Sequence, residues 1–181
     1  MDKKHLITKN EINNIKQEHL PLIVFSDAVK TFLSYAIKHH TKGVYNHVMV
    51  MHKPGFVVTQ NLDGFQELPI RVYMNGDHHL KLVSPLGWDV YKVQKAITFK
   101  LCAANKVKKY DFLGILGQLL GIAWLQSDKK EYCSETVIRF MQVGGVEYPN
   151  KHDNPSAVNK WMKQHKNLFK VYGYYVADEE M

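Results

Sequence analysis

Lys130-Glu131-Tyr132-Cys133-Ser134-Glu135-Thr136-Val137 carries the chain from a charged segment into an amphipathic one, whose apolar positions continue at Ile138 and Met141. The pattern predicts a helix that opens at Cys133 and is ended by Gly144-Gly145. A thiol in the first turn of a helix meets the positive end of the helix dipole, which favours the nucleophilic thiolate. The other cysteine, Cys102, falls near the end of a helix expected from about Asp89 to Ala104, where the dipole works against a thiolate. The two cysteines are therefore expected to behave differently. Nothing in their number or spacing makes a disulfide framework.

A cysteine nucleophile needs a base, and the base needs an orienting group. The chain has 10 histidines. His39 and His40 close a predicted helix beside lysine, His78 and His79 flank a loop, and His5, His19, His152 and His165 lie in polar stretches. His47 instead sits inside Val44-Tyr45-Asn46-His47-Val48-Met49-Val50-Met51, a strand apolar on both faces. An imidazole buried there must be hydrogen-bonded, either to a backbone carbonyl as a core residue or within a site.

Lys53-Pro54-Gly55-Phe56 reads as a turn leading to a return strand through Asn61. If Lys53 pairs with Phe56, Gln60 faces Met49 and becomes the diagonal neighbour of His47. A shift of one residue puts Asn61 on that face instead. Either amide would fix the ring's orientation and tautomer without supplying a carboxylate charge.

Around this pair the remaining signals predict an α+β chain with a single domain over residues 1–181. Thr8-Lys9-Asn10-Glu11 is a capping box for a helix to about Glu18, and Pro21 to Phe25 reads as a strand. Ser26 or Asp27 caps a helix through His40. Glu67 to Met74 and His79 to Val83 read as short strands, Ser156 caps a helix to about His165, and Leu168 to Val176 closes the chain as a strand. Phe112 to Leu125 is strongly apolar but too short to span a bilayer. It reads as a buried helix or the lining of a lipid pocket.

The formal net charge is +7, and Arg71 and Arg139 are the only arginines. Lysine is a point charge without arginine's bidentate fork. The surplus therefore suits an anionic wall or membrane surface, and no sequence-specific reading of nucleic acid is expected. Met1-Asp2-Lys3-Lys4 does not lead into a signal peptide, so synthesis and folding in the reducing cytoplasm are expected. A role at the cell envelope would then imply a phage-encoded or injected protein. No His pair at helical i, i+4 spacing and no Cys-x-x-Cys pattern offers a zinc site, and no metal or cofactor is expected.

Tyr45-Asn46-His47-Val48 on a strand, a polar residue near Gln60 on the next, Tyr110-Asp111, and Tyr132-Cys133-Ser134-Glu135 on a helix together resemble the circularly permuted papain-like cysteine hydrolases. The branch that the order suggests is the YiiX-like one of the NlpC superfamily, in which the histidine strand precedes the cysteine helix. The resemblance covers roughly residues 20 to 145. It implies an antiparallel sheet carrying the histidine, packed against the cysteine helix. It also implies Cys133 as nucleophile, His47 as base, Gln60 as the orienting residue and Tyr110 beside the developing oxyanion. The substrate class it implies is an acyl bond, in a peptidoglycan-type peptide, a thioester or a lipid ester.

Two positions depart from the family pattern. Gln60 stands where a carboxylate is common, and Leu22-Ile23-Val24-Phe25 lacks the Gly-Asp pair usual in the first strand. The Gln60 departure keeps open the alternative of an inert binding or structural module.

Overall fold

The computed structural model describes residues 5–27, 44–61, 64–74, 79–104 and 132–176. Within them, a six-stranded antiparallel sheet runs in the order β4-β3-β2-β1-β5-β6, with β1 Leu22–Ser26, β2 His47–Lys53, β3 Phe56–Asn61, β4 Gly64–Pro69, β5 Leu80–Pro85 and β6 Phe169–Tyr175. Four helices accompany it: α1 Lys9–Asn13, α2 Val90–Ala104, α3 Cys133–Val143 and α4 Pro155–Gln164. The class is α+β, as the patterning predicts.

Alternation along the strands sorts the side chains into two cores. Ile23, Phe25, Val48, Val50, Val58 and Val83 face the long helices and pack with Val93, Ile97, Val137, Ile138 and Met141. Leu22, Val24, Met49, Met51, Val57 and Leu82 face the other way, toward Ile12, Ile70 and Tyr73. β1 and β2 are buried almost end to end because both faces are covered.

Several local elements differ from the sequence reading, each for a physical reason. The capping box at Thr8 forms, with Glu11 N–H on the Thr8 hydroxyl at 3.2 Å and Thr8 N–H on the Glu11 carboxylate at 2.7 Å. The helix nevertheless stops at Asn13. The amides of Asn13 and Asn14 donate back to the carbonyls of Lys9 and Asn10 and compete with continuation. Glu67 to Met74 is not one strand: β4 begins earlier, at Gly64, and Pro69 leads into a 3-10 turn over Ile70–Tyr73.

The cap of α4 is Asn154, not Ser156. Its side chain accepts from Ala157 N–H, and Pro155 takes the first helical position. Ser156 is used elsewhere: its hydroxyl donates to Tyr45 carbonyl at 2.9 Å and accepts Tyr45 N–H at 3.1 Å. That clasp ties the chain entering β2 to α4, two residues before His47. The helix expected from Ser26 or Asp27 to His40, and the apolar segment from Phe112 to Leu125, lie outside the described residues.

Candidate active site

α3 opens at Cys133, as its sequence predicts. Tyr132 has extended backbone angles at the cap position, and its N–H donates to the Glu135 carboxylate at 3.0 Å. The other Glu135 oxygen meets His152 Nδ1 at 2.6 Å. Glu135 thus serves the helix N-terminus and a neighbouring histidine. The helix lies on β2 and β3, where Val137, Ile138 and Met141 pack against Val48, Val50 and Val58.

The thiol does not stand in solvent. Cys133 is 4 % exposed. Burial pushes the thiol up to about 11, while backbone N–H groups of Val48, Ser134 and Cys133 itself pull the other way and the Glu135 charge adds to the rise. This corrects the expectation of a depressed thiol. The helix terminus does present N–H groups to the sulfur, but the cost of removing a thiolate from water exceeds what they return.

His47 follows Asn46 into β2 and precedes the Val48 whose N–H reaches the sulfur. By alternation its side chain lies with Met49 and Met51, on the face opposite α3. Thr59 and Tyr73 both contact the ring. Its Nε2 is 2.7 Å from the Thr59 hydroxyl, and the ring stacks on Tyr73 with centroids 5.7 Å apart and planes 13° apart. Tyr73 is itself buried. Burial raises its phenol, the side chains of Asn61 and Thr59 hydrogen-bond it, and a charge on Cys133 would raise it further. Tyr73 is therefore in contact with His47 and within electrostatic reach of the thiol.

β2 and β3 part at this point. Their ladder runs through Val50–Val58 and goes no further toward His47, whereas β3 stays paired with β4 to Asn61–Gly64. The sulfur and the imidazole thus belong to the same splayed end of the sheet, one against the Val48 N–H and the other on the adjacent residue.

The orienting residue is a correction. Lys53 does pair with Phe56, but the register shifts between Met51 and Lys53, so that Met51 pairs with Val57 and Val50 with Val58. One extra residue on β2 reverses the facing of everything beyond it. Thr59 and Asn61 share the His47 face, and Gln60 points to the opposite one. There Gln60 is 1 % exposed, and its Nε2 has no hydrogen-bond partner among the described residues. It lines a cavity of about 380 Å³ between α2 and α3, with Phe65, Phe99 and Phe140 as walls and Lys100 and Arg139 among the lining residues.

Tyr110 lies outside the described residues. Tyr73 and Thr59 were not legible as site residues. Tyr73 carries no local signal, and Thr59 is one hydroxyl in an apolar strand whose facing depends on the bulge.

Comparison with solved structures finds a match over the whole fold. The crystal structure of the metalloprotein YiiX from Escherichia coli O157:H7 superposes with a TM-score of 0.52 at 18 % identity, covering 91 % of each chain. The chain has the YiiX-like fold. No family model and no curated protein matches it by sequence. Among the described residues, no group of three or more His, Cys, Asp or Glu side chains could hold a metal ion. No helix among them is long and apolar enough to cross a membrane.

Proposed function

We propose that the protein is a cysteine hydrolase of the permuted papain-like, NlpC type, cleaving an acyl bond through Cys133 and His47. The observation that carries this reading is the splayed end of β2, where a helix-N-terminal thiol accepts the N–H of the residue next to a hydroxyl-held histidine. In this scheme Nε2 faces the Thr59 hydroxyl, and the imidazole exchanges its proton with the thiol at the end of β2. Because the resting thiol is neutral, His47 takes its proton as the sulfur attacks the carbonyl carbon. The oxyanion then faces the N–H groups at the start of α3. Collapse breaks the bond to the leaving group, which receives the proton from His47. Water, activated by the same imidazole, releases the acyl group from sulfur. Thr59 and Tyr73 are positioning residues in this scheme.

The apolar cavity beside Gln60 suits the apolar part of an acyl substrate, with the Gln60 amide as a donor to a carbonyl. The E. coli structure is described as a metalloprotein. Among the described residues no group of three or more His, Cys, Asp or Glu side chains forms such a site in this chain.

The test is wild type against Cys133→Ser on peptidoglycan peptides, thioesters and phospholipids. We expect any hydrolysis to fall by about a thousandfold or more, the scale of removing a nucleophile from its catalytic unit. Equal turnover by both proteins on every hydrolysed substrate would remove Cys133 from the mechanism. A second reading, an inert module that keeps the fold for binding, draws on the buried and raised thiol.

A further inference from the structure

β5 carries a lysine in an unusual place. Lys81 pairs across the sheet with Phe25 and with Tyr174, and its side chain points to the α4 side, where it is 2 % exposed. Its ammonium donates to Asn159 Oδ1 on α4 and lies 5.8 Å from the Phe25 ring centroid. A lysine is almost never fully buried without a counter-charge, and none is present among the described residues. Among the described residues Lys81 makes no ion pair, and neither do Lys163, Lys166 or Lys170, which line the same cavity of about 520 Å³. No carboxylate lines that cavity among the described residues, whereas His5 and Tyr174 do. Burial, and secondarily the charge of Lys163, pull the Lys81 ammonium down to about 8. The charge of a bound anion would offset both effects.

The chemistry narrows the ligand. Four ammonium groups, with no carboxylate among the described lining residues, match a multiply charged anion better than a single carboxylate. Lysine's compact charge binds phosphate without needing a fixed fork geometry. The rest of the lining is largely apolar, including Val83 and Phe169, so the phosphate can carry an apolar substituent.

We propose that the cleft between β5, β6 and α4 is a binding site for a phosphate-bearing ligand, floored by Lys81 and rimmed by Lys163, Lys166 and Lys170. It lies on the helix-bearing face, two strands across from Val48, because Phe25 pairs with both Lys81 and Val48. The site is independent of whether Cys133 turns over a substrate.

Titration calorimetry on the full chain, with ionic strength held constant by sodium chloride, tests it. The probes are inorganic phosphate, octyl phosphate, and phosphatidylcholine vesicles with and without phosphatidic acid. We expect saturable binding of at least one phosphate probe, weakened about tenfold or more by Lys163→Ala combined with Lys166→Ala, two exposed positions that leave the core intact. Lys81→Met should do the same while preserving the packing volume. Equal binding of inorganic and octyl phosphate assigns a water-soluble phosphate. Binding of octyl phosphate and phosphatidic acid vesicles, without inorganic phosphate, assigns a lipid headgroup. No saturable binding of any probe, or binding unchanged in the double variant, overturns the proposal.

Discussion

β2 holds an imidazole near each end, and the two are built on different principles. His52 gives Nε2 to the Glu67 carboxylate at 2.6 Å, Lys53 takes the other Glu67 oxygen at 2.8 Å, and Gln94 donates to the His52 carbonyl. Burial pushes the Glu67 carboxyl up, but Lys53 and His52 outweigh it and hold it below the ordinary range. His47 meets a hydroxyl and an aromatic face. By its partners alone, His52 is the more familiar acid–base pair. It stands at the far end of the strand from the Val48 N–H that meets the sulfur. A carboxylate-paired imidazole makes a stable joint between β2 and β4. At the other end a hydroxyl and an aromatic face orient the His47 ring.

Exchanging the two histidines breaks the comparison most directly. His47→Gln should lower hydrolysis by about a hundred- to ten-thousandfold, the usual worth of a general base, with little change in melting temperature. His52→Gln should do the reverse. Activity stays within a few-fold, and stability falls by about 1 kcal/mol as buried His52 loses its bond to the half-buried Glu67 carboxylate. Paired kinetics and thermal melts of the two variants check this. Comparable activity losses in both would mean that the two ends of β2 are not functionally distinct.

The thiol offers a second contrast, in alkylation rate against pH. With the Cys133 thiol near 11, roughly one in ten thousand is ionised at pH 7. The exposed Cys102 should therefore label much faster at neutral pH. The sign follows from burial: thiolate is scarce below the raised value and accumulates only as pH climbs toward it. If His47 shares the proton, a second, smaller rise appears near the imidazole range and disappears in His47→Gln. A single limb climbing toward pH 11, identical in both proteins, would favour the inert module.

The sequence was most informative where a signal is local. Cys133 at a helix start, the Gly144 stop, the interior position of β2 and the Lys53–Phe56 turn pairing all follow from patterns within a few residues. The electrostatics of the thiol were not legible, because burial depends on β2 and α3 meeting. Nor was the role of Tyr73, which reaches His47 from a 3-10 turn twelve residues beyond β3. The identity of the orienting residue turned on one bulge, a feature with no proline or glycine at His52 to announce it.

That bulge sets the subtlest contrast, between adjacent residues of β3. Thr59 touches the His47 ring, and Gln60 touches the cavity between α2 and α3. Thr59→Val keeps shape and strand preference but removes the hydroxyl, leaving a half-buried imidazole nitrogen without that partner. We expect kcat to fall about tenfold with KM nearly constant, since only the base's orientation is lost, and Thr59→Ser should restore most of it. Gln60→Leu removes a buried amide that lacks a partner among the described residues, so stability should hold or rise. Its effect belongs in KM for substrates with an apolar acyl part, because the cavity wall changes while the ring's support does not. The opposite pattern, a kcat loss at Gln60 and none at Thr59, would place the amide on the imidazole during turnover. It would mean that the strand pairing slips by one residue when substrate binds.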